Sequence, residues 1–243
     1  MPENKVFDVL FLIGRPAAGK SEIIDFLKKS PLESRVENFH IGQFHEIDDF
    51  PMIWSWFEED AILSRSGHPR LHTFDDGYFT QNYLWNVLIE RLELDYWKIA
   101  GERPEGTVDS TAIVEFARGT EHGGFTEAFS HFSSEMLGRG AVMYIDVPFE
   151  ESLRKNRRRY NPAKAHSILE HGLPDDKLHT LYGESDWEEF SREDSEYLHV
   201  GDSRVPYAVF PNADDVTTGN NPELGPRLRE VLGTLWERRL HRP

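Results

Sequence analysis

The chain of 243 residues contains no cysteine, which excludes a disulfide framework and any metal or iron–sulfur site built on thiolates. No apolar run approaches the roughly 20 residues that a bilayer-spanning helix needs. The first residues, Met1-Pro2-Glu3-Asn4-Lys5, lack the charged and apolar regions of a signal peptide, so the expected setting is the cytoplasm. Cations are scarce. Lys and Arg number 27 against 43 Asp and Glu, a net charge of -16, which argues against nucleic acid or an anionic membrane as partner. Eleven histidines are present, but the close pairs His68/His72, His40/His45 and His166/His171 form no HExxH, so no zinc site is expected. Internal repeats and low-complexity tracts are also missing.

What the chain does have is Gly14-Arg15-Pro16-Ala17-Ala18-Gly19-Lys20-Ser21. This GxxxxGK[ST] stretch follows the apolar run 6–13 and precedes a helical pattern from Glu22. Strand, glycine loop and helix in that order suit a polyphosphate: small residues let successive N–H groups point at phosphate oxygens, and the helix N-terminus adds partial positive charge. Lys20 is then expected to reach the terminal phosphates of ATP and Ser21 to hold Mg²⁺ through its hydroxyl.

Periodicity places further strands at 35–41, 110–117, 141–147 and 205–210, and helices at 50–63, 78–99, 125–137, 148–160 and 223–240. Alternating strands and helices imply right-handed crossovers. The expected fold is a single three-layer α/β/α domain over 1–243 with a mostly parallel five-stranded sheet. Residues 163–200 are polar and weakly helical, and a lid is expected over 154–195.

Three segments together resemble the P-loop kinases of nucleosides and nucleotides: the glycine loop, the strand ending in Glu115 with Arg118 three residues on, and Tyr144-Ile145-Asp146-Val147-Pro148 leading into Leu153-Arg154-Lys155-Asn156-Arg157-Arg158-Arg159. The run 205–213 is similar to that family's last strand and adenine-side loop. The resemblance implies ATP and Mg²⁺ as cofactors, and a phosphoryl group moved to a small acceptor. It implies Glu115 near the metal, Arg118 at the acceptor, and lid arginines over the phosphates. The acceptor itself is left open between a nucleoside, a nucleotide and another small hydroxyl compound, as is a homodimer.

The candidate residues each have a plainer reading. Arg154, Arg157 and Arg158 lie at i, i+3 and i+4, a spacing that presents three guanidinium groups on one helix face, or pairs them with Glu150 and Glu151. Glu115 and Arg118 serve catalysis or pair with each other. Asp48 either accepts a hydroxyl proton or, with Asp49, caps the helix near Pro51. Asp146 ends an hhhhD strand and ranks below Glu115 as a metal residue. Trp54, Trp56 and Phe57 stack on a base or belong to the core. Without an acceptor the same loop would serve an ATPase switch or a binding module without turnover. The missing NKxD and LSGGQ segments count against a GTPase and a transporter ATPase.

Overall fold

The hexapeptide VLFLIG is apolar without interruption and buries every residue, as a strand covered on both faces must. It forms β1 (Val9–Gly14) at the centre of the sheet. A computed structural model describes residues 5–102, 110–159, 173–219 and 221–242. After β1 come α1 (Lys20–Lys29), α2 (Leu32–Phe39), β2 (Gln43–Asp48), α3 (Phe50–Arg65), α4 (Leu84–Glu102) and β3 (Ser110–Phe116). Then follow α5 (Gly124–Ser130), α6 (Ser134–Arg139), β4 (Gly140–Asp146), α7 (Phe149–Arg159), α8 (Asp175–Tyr182) and α9 (Trp187–Phe190). The hairpin β5 (Tyr197–Val200) and β6 (Ser203–Pro211) precedes α10 (Leu224–Leu240).

The sheet has six strands in the order β2-β3-β1-β4-β6-β5. All neighbours are parallel except β5 and β6. Side chains alternate across it. Leu10, Leu12, Ile113, Met143 and Phe210 pack with Ile23 and Leu27 of α1 and Leu228, Leu232 and Trp236 of α10. Val9, Phe11, Val114, Val142 and Tyr207 pack on the other face with Ile89 and Leu92 of α4 and Phe125 and Phe129 of α5. The two apolar clusters make the molecule a three-layer α/β/α structure, at about 25 cal/mol for each Å² of apolar surface buried.

Several expected elements are displaced. The sheet has six strands rather than five, because residues 197–200 pair with 203–206 across Gly201, which adopts φ 55°. Residues 35–41 are not a strand: 32–39 are helical, starting after Pro31 and ending at His40 in the left-handed region. The second strand is instead Gln43–Asp48. It is an edge strand with mostly exposed side chains, so no apolar alternation marks it. The expected helix 125–137 is two helices, because Ser133 accepts the Met136 N–H and starts α6.

The expected helix 78–99 begins only at Leu84, because residues 70–80 form a loop organised by Asp60. This fully buried carboxylate of α3 accepts the N–H groups of Leu71 (2.8 Å), His72 (2.9 Å) and Thr73 (2.6 Å), and the Thr73 hydroxyl (2.7 Å). Burial alone pushes its carboxyl up, but these donors prevail and hold its pKa down at about 2. A carboxylate held below its unfolded value stabilises the fold above about pH 4, and that contribution is lost as pH falls through about 2. Asp60→Asn turns an amide group on these donors, with an expected loss of about 2–4 kcal/mol at pH 7. Urea unfolding of both proteins should show this gap narrowing between pH 4 and pH 2; a gap independent of pH would contradict the assignment.

Candidate functional site

Strand β1 lies between β3 and β4, and the chain leaves it first towards β2 and β3 and later towards β4 and β6. Parallel sheets bind ligands at such a reversal, beyond the carboxyl ends of the strands. The loop of residues 14–21 occupies that position. A side chain at Gly14 would meet the Ile145 carbonyl at 2.8 Å. At Gly19, with φ 114°, one would meet the Thr217 hydroxyl at 2.6 Å. Both glycines therefore let the loop lie against its neighbours.

Three elements hold the loop in shape. Asn212, fully buried after β6, donates to the Ala18 carbonyl at 2.7 Å and to the Thr217 hydroxyl at 2.9 Å. Ser152 of α7 donates to the Pro16 carbonyl at 2.6 Å. Arg15 reaches the other way, donating to the carbonyls of Tyr182 and Gly183 at the end of α8 and lying over the Phe149 ring. Ala17 takes φ 57°, a left-handed conformation that costs a non-glycine residue about 1 kcal/mol. At Gly19, which precedes α1, there is no side-chain cap hydrogen bond. The largely buried Lys20 donates to the Arg15 carbonyl at 3.1 Å and the Gly14 carbonyl at 3.4 Å, with Glu115 Oε1 at 3.9 Å.

A cavity of about 830 Å³ runs across this helix start, a size suited to a small-molecule ligand. Pro16, Ala17, Lys20 and Ser21 line it. So do Phe26, Thr217, Gly219 and Leu224. Asp48, Asp49, Phe50, Ile53, Glu115, Phe116 and Tyr182 also contribute to its wall. Asp48 and Glu115 face each other because β2 and β3 pair in register at those two residues. The Asp48 carboxyl is pushed up to about 8, first by desolvation and then by the charges of Asp49 and Glu115, against the Phe50 N–H and Lys20. Asp48 remains open to the cavity, so the crowding comes from the walls and water still reaches it. Its Oδ1 also accepts the Phe50 N–H at 3.0 Å, the local contact expected of a residue preceding a helix.

Arg118 is not where the sequence suggested. It is 2% exposed and pairs with Asp49 at 2.7 Å, not with Glu115. It also donates to the carbonyls of Ala117 (2.6 Å) and Trp85 (3.2 Å), and lies over the Trp85 ring. Adjacent strand ends explain the change of partner: β2 brings Asp49 to the cavity wall and β3 brings Arg118 behind it. Arg154 and Arg158 likewise do not line the cavity. Arg154 pairs with Glu151 (2.6 Å) and Asp215 (2.8 Å), Arg157 pairs with Asp175, and Arg158 is exposed. The α7 face turned inward carries Ser152 and Asn156 instead, four residues apart. Asn156 both donates to and accepts from the backbone of Leu173.

Three aromatic residues of α3, Trp54, Trp56 and Phe57, also do not line the cavity. Trp56 is buried with Leu84, Trp85 and Leu88 and stacks on His72. The expected lid divides at the edge of the described residues. Residues 160–172 lie outside them, whereas α8 and α9 are built into the body. Leu181 reaches so close to Gly119 that a side chain there would meet its carbonyl at 2.1 Å. Trp187 stacks on Tyr144 at 4.0 Å, and Asp186 accepts the Phe125 and Thr126 N–H groups that open α5. Sequence reasoning missed Asn156, Tyr182 and Thr217. The first two stand in a stretch read as arginine face and lid, and no spacing signals them.

Among the described residues no three His, Asp or Glu side chains gather to hold a metal ion. A divalent ion here would therefore share its oxygen ligands between protein and phosphate. Ser21 and Glu115, both on the cavity wall, supply the right chemistry for that, and the uncapped start of α1 beside Lys20 fits a polyphosphate. Asp146 does not line the cavity.

No protein-family model and no curated protein sequence matches the chain. Solved structures do match in outline. The crystal structure of APE1195 has 12% identity and a TM-score of 0.43, with 95% of this chain and 97% of that one covered. An unliganded sugar kinase from Janibacter sp. HTCC2649 has 14% identity and a TM-score of 0.39, with 96% and 98% covered. At these scores neither similarity bears on activity. No helix among the described residues is long and apolar enough to cross a membrane.

The buried pair behind the cavity gives a direct test of what Arg118 does. Arg118→Met leaves Asp49 buried beside no cation, and the expected cost is about 3–5 kcal/mol. Asp49→Leu combined with Arg118→Met should recover most of it in a denaturant double-mutant cycle. Additive losses would instead place Arg118 in a role apart from Asp49.

Proposed function

We propose that the chain is an ATP-dependent phosphotransferase that moves the γ-phosphoryl group to a hydroxyl of a small acceptor. One observation carries the reading: a single cavity is lined both by Lys20 and Ser21 at the start of α1 and by two carboxylates, Asp48 and Glu115, that stand opposite each other at the ends of β2 and β3. Phosphoryl transfer needs positioning and charge neutralisation more than covalent help. The N–H groups of Gly19, Lys20 and Ser21 bind the phosphate tail, and the Lys20 ammonium turns from the loop carbonyls to its terminal oxygens. Ser21 and Glu115 hold Mg²⁺, which when bound neutralises charge on the phosphates. Asp48, exposed on the cavity wall opposite Glu115, accepts the proton of the acceptor hydroxyl in its ionised form. The side of the cavity along Phe26 and Thr217 takes the nucleoside end. Arg15 holds α8 against the loop, and Arg118 supports the opposite wall through Asp49.

Calorimetry with Mg²⁺ and a non-hydrolysable ATP analogue, followed by ADP formation with acceptors, tests this. Lys20→Ala should weaken binding of the analogue at least about tenfold, the value of one charged hydrogen bond. Asp48→Asn should leave binding near that of the wild type and lower turnover about 10²–10⁴-fold. Equal affinity in the Lys20 variant, or unchanged turnover in the Asp48 variant, would overturn the corresponding role.

A further inference from the structure

We infer, on the basis of the phosphotransferase reading, that Tyr182 determines acceptor specificity: its phenol hydroxyl bonds a second polar group of the acceptor, beside the hydroxyl that receives the phosphoryl group. Tyr182 ends α8 and lines the cavity, yet is only 7% exposed. Among the described residues its hydroxyl has no hydrogen-bond partner. Nor is it one of their sealed and unpartnered polar atoms, which belong to Arg35, His72, His122, Lys155 and His199. The hydroxyl therefore opens on the cavity, where only a molecule inside can bond it. The ring is enclosed: His122 meets it edge-on at 5.0 Å, and it shares an apolar cluster with Leu178, Leu181 and Phe149.

Its neighbours place it on the acceptor side. Tyr182 interacts electrostatically with Arg118 and Asp49, and Asp49 follows directly on Asp48, the proposed proton acceptor. Burial pushes the phenol above its ordinary range, so it stays protonated and can donate as well as accept. The main chain that carries it is fixed by two loops. Arg15 of the glycine loop donates to the Tyr182 and Gly183 carbonyls. From the loop after β3, Gly119 lies so close that a side chain there would come within 3.0 Å of the Tyr182 Cα, and the Thr120 N–H donates to the Glu184 carbonyl at 3.2 Å. A hydroxyl held in place this way loses little freedom when it bonds a ligand. An acceptor without the matching group displaces water from it and leaves it unpaired. A single-hydroxyl alcohol can serve Asp48 but not Tyr182 as well, whereas a polyhydroxyl compound can serve both.

The test is Tyr182→Phe in the full chain, with ADP release and binding of the non-hydrolysable ATP analogue measured on the same preparation. Acceptors are nucleosides, nucleoside monophosphates, pentoses, hexoses and glycerol, beside ethanol and 1-propanol as single-hydroxyl compounds. The wild type is expected to turn over at least one polyhydroxyl member, with kcat/KM at least about fivefold lower for either alcohol. For the best acceptor, Tyr182→Phe should lower kcat/KM at least about fivefold, chiefly through KM, and leave analogue affinity within about twofold. Its Tm should stay within about 4 °C of the wild type, because the hydroxyl serves no bond of the fold. A smaller kinetic loss, a larger fall in Tm, a loss confined to the analogue, or a smaller gap to the alcohols overturns the inference while leaving the phosphotransferase reading intact. Analogue binding without turnover on any acceptor also overturns it. Failure of the analogue to bind strikes the underlying reading first, and the Tyr182 assignment falls with it.

Discussion

Asn212 makes one of the shortest connections between distant parts of the chain that matter to the site. Its amide joins the turn after the last parallel strand to the carbonyl of Ala18, 194 residues earlier in sequence. That anchor helps to hold Ala17 in the left-handed region, which a non-glycine residue otherwise avoids. The same amide meets the Thr217 hydroxyl, so one buried side chain ties the glycine loop to a residue of the cavity wall. A polar group at zero exposure is tolerable only because its partners are fixed, and here the fixing is mutual.

The frame of the fold was legible where apolar character is continuous. Strands β1, β3 and β4 lie in the interior of the sheet and their sequences say so. The edges were not legible, for opposite reasons. Gln43–Asp48 carried no apolar alternation because an edge strand can face water, and residues 35–41 were read as extended although Val36 and Phe39, three apart, have helical spacing. Gly201-Asp202 between two β-rich runs was a usable hairpin signal, hidden by the polar residues before it.

For the site, position along the chain located the loop and the two acidic strand ends, while the partners of the cations were invisible. Charge type alone does not tell which carboxylate an arginine will meet. Register does: Asp48 opposite Glu115 sets the neighbouring Asp49 toward Arg118 and leaves Glu115 to Lys20. The arginines of α7 illustrate the same point. Their helical spacing was correct, but a helix has other faces, and the neutral pair Ser152 and Asn156 took the inward one.

The outermost strands have a consequence for how the molecule behaves in concentrated solution. One margin of the sheet is a six-residue strand bearing exposed Gln43, His45 and Glu46, with Lys28 reaching over to Glu46 at 2.7 Å. The other is a four-residue antiparallel strand. Short or charged margins make poor templates for a foreign strand, so neither side invites the ladder-to-ladder growth that leads to fibrils. The molecule can therefore keep a flat, hydrogen-bonding β-architecture in solution without polymerising along it.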